Sequence, residues 1–269
     1  MGYMDIAARR RRRIGAATPS LSDQVQAMLS GTTGFAVDPS DAATMWQEST
    51  KTNQVTAGGQ TVGAIATKWG TTAYDILQAT GTACPTWNGT NALSADEVDD
   101  EMRVLSGAML ALTNNISAFF GAARFRIASL AAARGIFMFN TTGSSASRVA
   151  LYVNADGSVG CDIRRLDADS ATTVTSATGL VTTGVDYTLA VQVDYSTGGI
   201  TLYLDNVSVG TGTHGSTGNT SATNSNRIGW GLTYGTTRYM PSRLGRGVVA
   251  PMVLTAGQRA TVQSWLVEA

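Results

Sequence analysis

Histidine occurs once in 269 residues, at His214. One imidazole cannot build a multi-histidine zinc site, and any Ser-His-Asp triad would have to rest on that single ring. Its neighbours, "TGTHGSTGNTSATNSN" over 211–226, are polar and glycine-rich, so His214 reads as an exposed loop residue. Cysteine is nearly as scarce. Cys84 and Cys161 have neither metal-site spacing nor the density of a disulfide framework, and they read as two buried thiols. Glutamate is confined to Glu48, Glu97, Glu101 and Glu268, which leaves few acids for hydrolytic chemistry. No Walker loop or dinucleotide fingerprint is present, so no cofactor is expected on those grounds. No apolar run is long enough to span a bilayer. After Arg13 comes "IGAATPSLSD", too polar for the core of a signal peptide, so an ordinary secretory route is not expected.

Charged residues are only 14% of the chain, while hydrophobic residues are 43% and glycine numbers 30. That balance suits a β sandwich with many turns better than a helical or disordered chain. The segment "DYTLAVQVDYSTGGITLYLDNVSVG", 186–210, makes the case locally. Tyr187, Leu189, Val191, Val193 and Tyr195 alternate with polar or small residues, the period of a half-buried strand. The run Ser196–Gly199 breaks the pattern, Ile200, Leu202 and Leu204 resume it, and Asp205-Asn206 supplies a tight reversal before Val207 and Val209. The expectation is a three-stranded antiparallel meander that serves as scaffold. Further strands are expected in "MRVLSGAMLAL", "SAFFGAARFRIA", "GIFMFNTT", "RIGWGLTY" and "GRGVVAPMVL", and "SRVALYVNADGSVGCDIRRLD" reads as a hairpin turning at Asn154–Gly157. Trp230 shares strand parity with Leu232 and is expected in the core.

Both ends carry helix signals. Ser20 with Asp23 makes an N-cap, Leu21, Val25, Met28 and Leu29 share a face, and Gly31 is a stop. A turn or short helix is expected around Asp41. Thr255 with Gln258 makes a second capping box, followed by Val262, Trp265 and Leu266 on one stripe. We therefore divide the chain into a basic anchoring arm with a short helix, residues 1–40, and a β sandwich with a C-terminal helix, residues 41–269. No internal repeat of 20–50 residues is present.

The meander, "RVALYVNADGSVGCDIRRLD", "RIGWGL" and the closing "LTAGQRATVQSWL" resemble laminin-G-like, concanavalin-A-like jelly rolls, with Asn206 standing where that pattern usually has glycine. The segment "DPSDAATMWQESTKTNQVTAGGQTVGAIATKWGTTAYDILQATGTACPTW" is similar to the lead-in of laminin-G-like proteins in tailed phages, prophages and gene transfer agents. The resemblance covers Asp38 to the C-terminus. It implies an all-β, antiparallel jelly-roll sandwich in a virion protein: a head spike, decoration protein or fibre component. It also implies a homotrimer, made in the host cytoplasm and located on the particle. It does not by itself assign a function, because one fold serves many.

Three features could carry function. In "ADEVDDEMRV", Glu97, Asp99 and Glu101 would share one face if the segment were a strand. Laminarinase-type glycosidases of this fold array their carboxylates in this way, and paired acids are what retaining hydrolysis needs. Asp100 stands where those enzymes usually have an apolar residue, and Met102–Leu105 does not match their continuation. A solvated acidic turn is therefore the preferred reading, with the glycoside hydrolase and a free lectin as alternatives to a structural protein. Calcium is a second possibility, with Asp156, Asp194 and Asp205 near turns, but no dense oxygen-ligand loop is visible. Glycan contacts are expected from Tyr234, Arg238, Tyr239 and Asn226 in and before an exposed loop.

The third feature is the run Arg9, Arg10, Arg11, Arg12 and Arg13. The chain as a whole is neutral. Without the run, 14 basic residues face 19 acidic ones, a net charge of −5. The run is short and has no interleaved aromatics or lysines, which argues against nucleic acid. Docking onto an acidic capsid or appendage hub fits better. The expected partners are thus other virion proteins through the arm and a host-surface polysaccharide through the loops, with no membrane span.

Overall fold

The computed structural model describes residues 18–71, 74–105, 112, 114–141, 147–221, 226–230 and 240–268. The first helix is α1 (Leu21–Leu29), followed by strands β1 (Phe35–Val37), β2 (Met45–Trp46), β3 (Ala64–Ala66), β4 (Asp75–Leu77), β5 (Thr86–Trp87) and β6 (Leu93–Ser94). Next come β7 (Met102–Leu105), β8 (Ala118–Arg126), β9 (Arg134–Thr141), β10 (Ser147–Val153), β11 (Val159–Ile163) and β12 (Thr172–Thr175). The last strands are β13 (Asp186–Asp194), β14 (Gly199–Leu204), β15 (Val207–Thr213), β16 (Asn226–Trp230) and β17 (Arg243–Ala250), before the helix α2 (Ala256–Val267).

Among the described residues the strands form two antiparallel sheets. One runs β15-β14-β13-β8-β17-β6-β5, with β1 also paired to β17; the other runs β12-β11-β10-β9-β16-β7-β4-β3-β2. The architecture is the all-β sandwich expected, with a C-terminal helix. The expected antiparallel meander forms, with Leu189 opposite Leu204 and Val193 opposite Ile200. Its two-residue reversal uses Asp205 and Asn206 at φ 48° and 63°, the left-handed geometry that a tight hairpin requires and that short polar side chains tolerate.

Alternation along the strands divides their side chains between two layers. Phe119, Phe125, Leu189, Val191, Leu202 and Val249 point inward and meet Phe137, Leu151, Val159 and Ile163 of the facing sheet. Burial of that apolar area is the main stabilising term. On the outer face of the first sheet, Phe120, Ala122, Val248 and Ala250 pack beneath Val25 and Leu29 of α1 and Val262, Trp265 and Leu266 of α2. Both capping boxes form as predicted, Ser20 with Asp23 and Thr255 with Gln258, and the short 3-10 turn 42–44 is capped by Asp41.

The division at residue 40 does not match a break in packing. β1 pairs with β17 through Phe35↔Val249, and α1 lies on the sheet beside α2. Gly34 joins α1 to β1 where a Cβ would sit 2.4 Å from the Val249 carbonyl oxygen, so the chain can pass this close to β17 only at a glycine. A buried ionic knot ties the same segment to the far end of the chain. Arg246 donates to Asp38 (2.9 Å), Ser40 (3.0 Å), Glu268 (3.0 Å) and the Trp265 carbonyl (2.7 Å). Its guanidinium also lies 5.0 Å from the Trp265 ring centroid.

Candidate functional site: an acidic cleft beside the β6–β7 loop

The loop between β6 and β7 carries the acidic run. It is a turn-rich loop before a strand, as the preferred reading had it, so Glu97, Asp99 and Glu101 do not form the carboxylate array of the alternative, glycosidase-like reading. Glu97 has φ 63°, a left-handed backbone that turns its side chain inward. Its carboxylate accepts from the amides of Ala128 (2.8 Å) and Ser242 (3.0 Å) and from Arg134 Nη2 (3.1 Å), while Arg134 Nη1 donates to the Glu97 carbonyl (3.1 Å). Both side chains are buried, at 6% and 9% exposure. Glu97 is a stitch holding the loop to the β8–β9 turn and to the approach to β17. Glu101 faces Arg103 at 3.3 Å, an ordinary surface pair.

The residues that converge are instead Asp96, Asp99 and Asp100, whose carboxylate oxygens lie within 4.8 Å of one another. The Asp96 amide donates to Asp100 Oδ2 (2.8 Å), and Asp96 Oδ1 accepts from the Val98 amide (2.7 Å). Asp96 and Asp100 line an open cleft of about 340 Å³ whose other walls include Thr82, Cys84, Thr86 and Ser94. The Asp100 carboxyl is pushed up to about 6: burial raises it most, the hydrogen bond from the Asp96 amide offsets part of that, and the charges of Asp96 and Asp99 add to the rise. The Cys84 thiol is also raised, by burial and then by the Asp100 charge. The cleft therefore offers hydroxyls, carboxylates and one acid that changes protonation near neutrality. The same three carboxylates are hard oxygen donors, though fewer than the six to eight a calcium ion takes. Strand periodicity would have aligned Glu97, Asp99 and Glu101; the left-handed residue at position 97 breaks that alternation and brings Asp96, Asp99 and Asp100 together instead.

Two of the turn aspartates serve their own turns: Asp156 accepts from the Ser158 amide (3.0 Å) and Asp194 from the Ser196 amide (2.9 Å). Asp205 instead ties the β14–β15 turn to β13, accepting from the Thr188 amide (2.7 Å). His214 is not an exposed loop residue. It follows directly on β15 and is 4% exposed. Its Nδ1 accepts from the Ser216 amide at 3.2 Å, and the Ser216 hydroxyl donates to Asp169 at 3.0 Å. Serine, histidine and aspartate thus meet, but the serine hydroxyl spends its proton on the carboxylate, the reverse of the order a nucleophilic triad needs. Arg9 to Arg13, Tyr234, Arg238 and Tyr239 lie outside the described residues, as do the side chains of Asn226 and Trp230.

No family model matches the sequence, and no curated relative does so either. Solved structures do show the fold. The chain is similar to the Ruminococcus gnavus IT-sialidase CBM40 bound to α2,3-sialyllactose, with TM-score 0.52 and 17% identity over 65% of this chain and 97% of that one. It is also similar to the Trypanosoma rangeli sialidase, with TM-score 0.56 and 14% identity over 87% of this chain; it spans 33% of that longer chain.

Proposed function

We propose that this chain is a non-catalytic, glycan-binding structural protein, an appendage of a virion held to its particle by the N-terminal arm. The observation that carries the binding part is the open polar cleft. Three hydroxyl groups and two carboxylates face one space of about 340 Å³, the size range of small-ligand sites. Hydroxyls and carboxylates together match the alternating donors and acceptors of a sugar ring. A similar fold that holds α2,3-sialyllactose supports glycan binding in general rather than this cleft in particular. The virion part is supported by the phage-type lead-in from Asp38 and by the arginine run preceding α1. The particle protein that receives the arm is acidic in this reading, and the assembly is a trimer.

The test has two arms. The intact protein is applied to a glycan array beside D96N/D100N; binding of at least one glycan class, lost in the variant while circular dichroism is unchanged, is expected. Residues 1–17 are then deleted and purified particles are blotted for the protein. Loss of incorporation with an intact sandwich is expected, and unchanged incorporation refutes the anchor. Light scattering of the purified chain reads the trimer.

A second reading is favoured by one observation. A carboxyl raised to about 6 in a carboxylate-lined cleft is what a general acid needs near neutral pH. Under that reading the acid is Asp100, not Glu97. Release of reducing ends from a β-glucan, abolished by D100N, would establish turnover and displace the non-catalytic proposal.

A further inference from the structure

Among the described residues, α1 and α2 cover one end of the outer face of the first sheet. The helices lie over Phe120 and Ala122 of β8, while the other end of β8 carries Arg124 and Arg126 on that same face. In the strand register Asp186, Arg126 and Arg243 form one row across β13, β8 and β17. Two arginines directly opposite one another on neighbouring strands oppose folding. Asp186 relieves only part of this. It accepts from Arg126 Nε (2.9 Å) and Nη2 (2.7 Å) and from Arg124 Nη2 (3.1 Å). Burial would raise the Asp186 carboxyl, but the hydrogen bonds from Arg126 and the charge of Arg124 outweigh it and hold the group low, so it stays ionised. Among the described residues Arg243 meets a neutral acceptor, Asn91 Oδ1 at 3.1 Å. Arg124 reaches weakly toward the Val267 carbonyl at the end of α2, at 3.5 Å.

Three guanidinium groups present about fifteen N–H donors. Five hydrogen bonds to protein acceptors are made among the described residues. The patch keeps two positive charges beyond Asp186. Arg124, Asp186, Arg243 and Asn91 line a shallow recess on this face, together with Gly245. A Cβ on Gly245 would press on the Arg124 stem at 3.2 Å, so glycine there lets Arg124 lie flat along the floor.

We propose that this recess binds the carboxylate of an acidic glycan, with Arg243 and Arg124 forming the fork. Planar guanidinium groups match a carboxylate through paired N–H···O bonds. The recess is small, about 10 Å³, so one carboxylate oxygen would enter it beside the guanidinium groups while the ring that carries it stayed on the surface above. The inference rests on the glycan-binding reading above but uses a different surface from the acidic cleft, which would repel such a ligand. A nonulosonic acid and a uronic acid share this chemistry.

Isothermal titration of the full-length chain with α2,3-sialyllactose, a glucuronic-acid-terminated disaccharide, lactose and inorganic phosphate tests it. Binding of one or both carboxylated sugars is expected, with lactose and phosphate much weaker; which sugar binds identifies the source. R243Q lowers carboxylate binding by about tenfold or more, and R243K restores part of it, because charge returns without the fork. D96N/D100N leaves this binding intact. Failure of both acidic sugars to bind, equal binding of lactose, equal binding of phosphate, or an unchanged R243Q would each overturn the proposal. If neutral glycans are still retained and lost in D96N/D100N, the cleft reading stands while the recess falls. If no glycan of either kind binds, both fall.

Discussion

Replacing Glu97 by alanine is the sharpest probe of how this fold holds its loop. The substitution removes the acceptor for the Ala128 and Ser242 amides and leaves the Arg134 guanidinium buried without its counter-charge. Breaking one side of a buried pair costs about 3–5 kcal/mol, and the two stranded amides lie within the same estimate if the loop relaxes toward water. For a chain of this size each kcal/mol lowers the melting temperature by about 2–4 °C, so E97A should melt about 6–20 °C below wild type. The backbone at position 97 adds a second, signed expectation. A left-handed φ costs a non-glycine residue about 1–2 kcal/mol, so E97G should be less damaging than E97A despite its greater freedom when unfolded. E97A/R134M, which removes both charges, should recover much of the loss and give a large coupling energy in a double-mutant cycle. Urea melts of wild type, E97A, R134M, E97A/R134M and E97G provide the measurement. An E97A unfolding free energy within about 0.5 kcal/mol of wild type, the range of an ordinary surface change, would refute the clamp.

Asp100 gives a pH signature of the opposite kind. Its folded pKa is raised to about 6 from 3.8, so the protonated form favours folding below pH 4 and that contribution is lost as pH rises toward 6. D100N should therefore stabilise the protein above pH 6 and lose this advantage in acid, as read by melting temperature against pH. Asp38 runs the other way. Burial would raise it, but hydrogen bonds from Ser40 and Arg246 win, so its contribution is present above pH 4 and is lost as pH falls through its lowered pKa. R246A should destabilise the protein by several kcal/mol near neutrality, loosen the fit of α2, and flatten the acid transition. Neither cysteine should react with iodoacetamide at pH 8 in the native state: the Cys161 thiol is pushed up to about 12 by burial and Cys84 is also raised. Rapid labelling of Cys161 would mean that the sandwich opens.

What could be read in the sequence was what is local. The meander follows from period two and from Asp205-Asn206, and the helices from their capping boxes, because each signal lies within a few residues of its effect. The site was harder. Asp96 and Asp100 converge only because Glu97 takes a left-handed conformation, and no residue type announces that at a glutamate. His214 looked exposed by composition, yet it is buried where residues 214–216 meet the segment carrying Arg165 and Asp169. The arginine row is the clearest case. Arg126 stands 60 positions from Asp186 and 117 from Arg243 along the chain, and only strand register makes them neighbours.

The place of β17 in the sheet has a consequence for vectorial synthesis. Residues 243–250 sit between β8 on one side and β6 with β1 on the other, so the last strand made is an internal one. Until it leaves the ribosome, the early strands of this sheet have no bridge to β8, and their backbone donors and acceptors remain open to wrong partners. That sheet can close only once β17 has emerged, through contacts of long sequence separation that form slowly. During that interval the nascent chain is a client for a holding chaperone, and a ribosome stalled before residue 243 should present a protease-sensitive chain rather than a partly finished sandwich.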